Sequence, residues 1–110
     1  MSKPTPPKHL SYATRRWWRG VLAVYDLEDH HLRLLQLACE AWDRAQQARQ
    51  AITEFGLTFV DKHDQPRSRP EVQIERDSRI AFARLVRELD LDADAADPSR
   101  PPSLRSNRRR

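Results

Sequence analysis

Glycine and cysteine are scarce in this chain, whose 110 residues include two glycines and one cysteine. Neither glycine lies in a GxxxxGK[ST] or GxGxxG pattern, so loops that bind nucleoside phosphates or dinucleotides are excluded. The single Cys39 excludes a disulfide within the chain, and no cysteine–histidine pair has the spacing of a zinc site. Serine and cysteine also lie outside recognisable nucleophile motifs. We therefore expect no catalytic residues, no cofactor and no metal site.

Long apolar stretches are also missing. No run approaches the roughly 18 apolar residues that a membrane-spanning helix requires. The basic N-terminus is followed by prolines and not by the apolar segment of a signal peptide. These features predict a protein without a membrane partner that works in a reducing cytoplasm.

Charge is distributed unevenly along the chain, whose formal net charge is +4. Residues 1–20 carry five basic residues and no acidic residue, and residues 98–110 carry five arginines and no acidic residue. The segments between them, 21–60 and 61–97, each carry a net charge of −3. Basic ends around an acidic middle favour an anionic partner that is bound at the ends. Solubilising tails without a partner are the alternative.

Proline, serine and arginine dominate both ends of the chain. Segments of this composition have too few apolar side chains to offset the entropy that ordering costs. We therefore predict a flexible N-terminal arm over residues 1–9, a folded body over residues 10–91 and a flexible basic tail over residues 92–110.

Two helices are predicted in the first half of the body. The first begins at Ser11, a favourable N-cap residue. The second begins at Asp26, ends at Gly56 and is about 29 residues long. Alanines at heptad spacing form a seam along it, which requires another helix, either the chain's own third helix or one from a second copy. As the interface of a homo-oligomer we predict Leu34, Ala38, Ala41, Ala45 and Ala48.

The sequence of the second half of the body predicts a short β-hairpin and a third helix. Residues 57–60 have a strand pattern, a turn follows, and residues 67–69 return as a second strand. The pattern Ser68-Arg-Pro-Glu71 matches a capping box, and the third helix extends from residue 70 to residue 89. The predicted fold class is mainly α: a helical hairpin with a long central helix, a short β-hairpin, a third helix and flexible basic ends.

Arginines on the first helix and in the tail are the candidate DNA-binding residues. On the first helix they lie beside two tryptophans, a composition typical of phosphate-contacting surfaces but also of ordinary amphipathic helices. In the tail, a mobile basic arm suits non-specific contact with a phosphate backbone. The set is Arg15, Arg16, Arg19, Arg105, Arg108, Arg109 and Arg110.

The order of these features resembles the phage terminase small subunits of the P-twenty-seven type. The resemblance covers residues 7–91. Its segments are residues 7–11, an aromatic-centred helix with Ala13, Trp17 and Trp18, residues 25–27, 34–42 and 52–56, then Arg69-Pro70 and a helix that ends with residues 85–91.

This resemblance implies a role in viral genome packaging in the host cytoplasm. Such subunits assemble into rings, bind double-stranded viral DNA and present it to the large terminase subunit, which carries the ATPase and nuclease. The small subunit is then non-catalytic. The alternative is a helical protein–protein interaction module without a DNA role. A sequence-specific repressor is disfavoured, because the sequence predicts no recognition helix.

Overall fold

Three helices and one β-hairpin make up residues 3–91, the part of the chain that a computed structural model describes. The elements are α1 (Tyr12–Val24), α2 (Asp29–Phe55), β1 (Thr58–Val60), β2 (Pro66–Ser68) and α3 (Pro70–Leu89). This order confirms the predicted mainly α fold with a long central helix, a short β-hairpin and a third helix. The predicted C-terminal tail lies outside the described residues.

The first turn of α1 is fixed by hydrogen bonds within the helix and from α2. Ser11 is the N-cap, as predicted, and its Oγ accepts a hydrogen bond from the backbone N–H of Thr14. Asp43 of α2 accepts a hydrogen bond from the backbone N–H of Ser11 at 2.7 Å. The hydroxyls of Ser11 and Thr14 lie within hydrogen-bond distance of the same carboxylate. A negative charge at this end also interacts favourably with the helix dipole.

The joint between α1 and α2 is longer than the sequence predicts. Asp26 is the expected cap of α2, but the helix begins at Asp29 with Glu28 in the N-cap position. Tyr25 is buried, and its backbone N–H donates to the carbonyl of Val21. Leu27 packs against the core. Burial of these two apolar side chains favours an extended joint, so the helix begins three residues beyond the predicted cap.

α2 packs against α3 of the same chain, and most of the small-residue seam of α2 is buried. Ala38, Ala45 and Ala48 are at most 4% exposed, while Leu34 and Ala41 are half-buried. Burial in the chain's own fold leaves the three alanines almost no surface for a contact between copies. Leu34 and Ala41 keep exposed surface, and the assignment of this seam to a contact between copies stays a prediction.

The main apolar core lies where α1 crosses the α2–α3 pair. Of the two adjacent tryptophans, Trp18 is buried in this core, whereas Trp17 remains 36% exposed and packs edgewise on Phe82 of α3. The buried members of the core are Leu10, Trp18, Val21, Leu22, Tyr25, Leu35, Cys39 and Leu89.

The β-hairpin consists of three residue pairs and a turn that one carboxylate organises. β1 and β2 are antiparallel, with Phe59 opposite Arg67. Asp61 accepts hydrogen bonds from the backbone N–H groups of His63 and Gln65 and from the guanidinium of Arg67. Asp64 adopts the left-handed conformation, with φ of 63°. Aspartate tolerates this region better than most residues, so the turn forms without glycine.

The beginning of α3 differs from the predicted capping box. Ser68 is not the N-cap, because it belongs to β2, where it is paired with Thr58. Arg69 takes the N-cap position, and Pro70 opens the helix as expected. Strand pairing therefore outcompetes side-chain capping at this residue.

Residues 3–9, predicted to be a flexible arm, contact the helices. Pro6 is buried, Trp18 Nε1 donates to the carbonyl of Pro4 at 3.2 Å, and His9 Nε2 lies 2.7 Å from Glu40 Oε2. Composition did not predict these contacts, because it indicated that the prolines of this segment face solvent.

Truncation of the core should destabilise the protein strongly. Leu89 is fully buried, so Leu89→Ala should reduce the free energy of unfolding by about 2–5 kcal/mol through lost apolar burial and a residual cavity. Ile74 on the same helix is 40% exposed, and Ile74→Ala should change it by no more than about 0.5 kcal/mol. Urea unfolding at one protein concentration measures both. Equal effects of the two substitutions would contradict the placement of Leu89 in the core.

Candidate nucleic-acid interface

The three candidate arginines of α1 share one side of the helix. At 3.6 residues per turn, Arg15, Arg16 and Arg19 fall within an arc of about 100°. Arg16 and Arg19 are exposed, whereas Arg15 is half-buried and its Nε has no hydrogen-bond acceptor among the described residues. Within residues 3–91, none of the three forms an ion pair with a carboxylate. Arg16 and Arg19 therefore offer the most accessible unneutralised charge on this helix.

Other arginines of the body have carboxylate partners. Arg67 Nε lies 2.8 Å from Asp61, which lowers the pKa of that carboxyl below its usual value, with further lowering by the backbone N–H of Gln65. Arg49 and Arg79 both lie near Glu75, at 3.7 Å and 3.3 Å. Their positive charge is partly neutralised inside the fold, which makes them less suited to contact phosphate.

A fourth basic residue lies beside Arg19. Lys3 and Arg19 line one shallow depression of about 290 Å³, together with Pro4, Pro6 and Leu22. The hydrogen bond from Trp18 to Pro4 fixes this segment along α1. Sequence reasoning counted Lys3 in the basic end but assigned it to a flexible arm.

The arginines of the tail, Arg105, Arg108, Arg109 and Arg110, lie outside the described residues, so the structure does not relate them to α1. Their assignment to DNA stays a prediction.

An aromatic cluster joins the three helices next to the basic side of α1. Phe82 of α3 lies between Trp17 and Trp42, with ring centroids 5.9 Å and 5.0 Å apart. A pocket of about 290 Å³ opens at this cluster, lined also by Ala13 and Thr14. The cluster holds α1 on the α2–α3 pair and so fixes the direction in which the arginines point.

Among residues 3–91 there is no group of three or more His, Cys, Asp or Glu side chains placed to hold a metal ion. Cys39 is fully buried, and burial, followed by the charges of Asp43 and Glu40, raises its pKa from 9.0 to about 12. A thiol in this environment is a poor nucleophile. In the same range, no helix is long and apolar enough to cross a membrane.

Comparison with known proteins identifies the family. No curated protein and no solved structure matches the chain. The family model described as phage terminase, small subunit, matches residues 15–100, which are 86 of the 110 residues. The match includes α1 from Arg15 onward and the whole of α2, the hairpin and α3. The chain therefore belongs to the phage terminase small subunit family.

Proposed function

We propose that this chain is the DNA-binding, non-catalytic small subunit of a viral genome-packaging motor. It binds double-stranded viral DNA through basic residues near its two ends and delivers that DNA to the large terminase subunit. It acts in the host cytoplasm as a homo-oligomeric ring.

The observation that carries the DNA-binding part is the unneutralised basic side of α1. Arg16 and Arg19 are exposed, and Lys3 lies next to Arg19. The first 20 residues contain no acidic residue, so nothing within this segment opposes an approaching phosphate. Contacts of arginine and lysine with phosphate supply most of the affinity of non-specific DNA binding. A rigid helix that presents them also fixes the orientation of the DNA.

Assembly into a ring is supported by the exposed apolar surface of the body. Leu37, Leu57 and Ile80 are each more than 40% exposed, although they lie on the packed α2–α3 pair or on the connection next to it. A chain of this size with a modest core commonly gains stability from copies of itself. The large terminase subunit is the second protein partner implied by the family.

The alternative function is a helical interaction module in which the arginines only increase solubility. The exposed aromatic cluster of Trp17, Trp42 and Phe82 favours a protein ligand, because aromatic residues are enriched at protein interfaces. On this alternative, DNA has no effect on the protein.

Native mass spectrometry with and without a DNA duplex tests the proposal. We expect one closed oligomer of a single stoichiometry at tens of micromolar protein, and a further species that contains one duplex per oligomer. Polyglutamate of matched charge is the control for unspecific anion binding. If the protein is monomeric and does not bind the duplex in the same buffer, the interaction module is the only remaining interpretation.

A further inference from the structure

We infer that the two opposite sides of the α2–α3 pair are complementary halves of one interface, through which each copy of the chain binds the next, head to tail. The inference rests on the proposed assembly and specifies the surfaces that form it. One side carries an acidic groove and the other a basic groove.

The acidic groove is an open depression of about 630 Å³ between α2 and α3. Its apolar part includes Leu37, Ala41 and Ala81, and Leu37 is 51% exposed. Three carboxylates line it, against the single guanidinium of Arg44: Glu40, Asp43 and Asp77. Glu40 and Asp43 keep their places through hydrogen bonds with His9 and the start of α1. The groove therefore combines apolar surface with an excess of negative charge.

The basic groove lies further along the pair, beside the hairpin, and has a volume of about 500 Å³. Its apolar part includes Leu57, Val72 and Ile80, of which Leu57 is 61% and Ile80 45% exposed. Three guanidinium groups line it: Arg49, Arg76 and Arg79. Arg49 and Arg79 share the carboxylate of Glu75. Arg76 Nε lies 3.6 Å from Asp77 of the same helix, so three guanidinium groups meet two carboxylates and an excess of positive charge remains. The composition is thus the reverse of that of the acidic groove.

Helical periodicity places the two grooves on opposite sides of the pair. On α3, Asp77 and Ala81 of the acidic groove are separated by about 120° to 160° from Arg79 and Ala83 of the basic groove. On α2, Ala41 and Arg44 face the acidic groove, whereas Arg49 faces the basic groove. The two grooves of one copy therefore cannot contact each other, whereas the acidic groove of one copy can contact the basic groove of another.

Charge complementarity selects a second copy as the occupant of each groove. The acidic groove of one copy, with an excess of carboxylates, then faces the basic groove of the next copy, with an excess of guanidinium groups. The contact also covers Leu37 of one copy with Leu57 and Ile80 of its neighbour, all of which are exposed in the single chain. Because the two halves differ, the interface is heterologous, and repeating it produces a ring when the rotation closes.

Charge reversal on each side, followed by mixing, tests this interface. Asp77→Arg removes the excess negative charge of the acidic groove, and Arg79→Glu removes the excess positive charge of the basic groove. Each variant alone should need a protein concentration about tenfold or more higher for assembly, because the attraction between the two grooves is then lost. An equimolar mixture should recover assembly, since the altered acidic groove of one variant now fits the altered basic groove of the other. Native mass spectrometry of the full-length chains, with one variant isotope-labelled, should show alternating copies.

Glu54→Arg and Lys62→Glu are matched controls, because they make the same charge changes at exposed residues that line neither groove. Both should assemble like the wild-type chain, and circular dichroism should show equal helix content in all variants. Full assembly of either groove variant alone, or no recovery on mixing, overturns the head-to-tail assignment and leaves the proposed DNA-binding role intact. A monomeric wild-type chain instead overturns the proposed assembly itself.

Discussion

Deletion of residues 105–110 should lower the slope of log DNA affinity against log salt concentration by up to about 3 to 4. The deletion removes Arg105, Arg108, Arg109 and Arg110. Each phosphate that a basic side chain neutralises contributes roughly 0.9 to the slope, because it releases a condensed counterion. Replacing Arg15, Arg16 and Arg19 with alanine should lower the slope by a further 2 to 3 or so by the same rule. Binding isotherms on one duplex at several salt concentrations measure both effects.

A matched pair of single substitutions separates DNA contact from a general loss of charge. Arg16→Ala should lower the slope by about 0.9, because Arg16 is exposed and unpaired within the described residues. Arg67→Ala removes the same charge from an arginine that is paired with Asp61 at 2.8 Å, and should leave the slope close to its original value. If neither the tail deletion nor the α1 substitutions alter the slope, the basic ends are solubility devices and the interaction module is the better interpretation.

Alkylation of Cys39 in the folded protein should be slower than that of a free thiol by about 1,000-fold or more at pH 8. Its pKa is raised from 9.0 to about 12, and each unit of pKa lowers the fraction of reactive thiolate about tenfold. Complete burial also blocks the reagent. Iodoacetamide labelling followed by mass spectrometry measures the rate, and the same protein in urea is the control. Equal rates with and without urea would place Cys39 outside the core.

The same pKa predicts how stability changes with pH. A thiol with a raised pKa in the folded state contributes its full stabilisation below pH 9.0 and loses it as pH rises toward 12. The wild-type chain should therefore lose more stability between pH 8 and pH 10.5 than Cys39→Ala, which lacks the titrating group. Urea unfolding of both proteins at the two pH values isolates the difference, since the other titrating groups are shared.

Periodicity and turn chemistry predicted most of the fold. The cap at Ser11, the end of α2 at Gly56 and the first turn of α3 at Pro70 are local signals, and each depends on residues close in sequence. The start of α2 and the role of Ser68 were wrong because tertiary contacts decided them. Burial of Tyr25 extended the joint, and pairing with β1 withdrew Ser68 from capping.

The candidate site was predictable in its charge but not in its geometry. Spacing alone placed Arg15, Arg16 and Arg19 on one side of a helix, but only the structure separates the half-buried Arg15 from its exposed neighbours. Lys3 was missed because its position depends on a hydrogen bond between Trp18 and Pro4, which no local pattern encodes. The two grooves could not be predicted from the sequence, since each combines side chains from α2 and α3 that are 20 or more residues apart.

The helical structure of α1, which carries the candidate arginines, depends on the rest of the fold, because Asp43 of α2 contacts its first turn. With 13 residues and a glycine at position 20, α1 is at the limit of length at which an isolated helix is stable in water. Its first turn is bonded to a carboxylate that lies 32 residues away from Ser11 in sequence. We therefore predict that α2 and α3, which only a short hairpin connects, pack first and that α1 becomes helical against them. A local opening that separates α1 from α2 should therefore also unfold α1 and remove the fixed arrangement of its arginines. The ability to bind DNA in one orientation is thus coupled to the free energy of that opening.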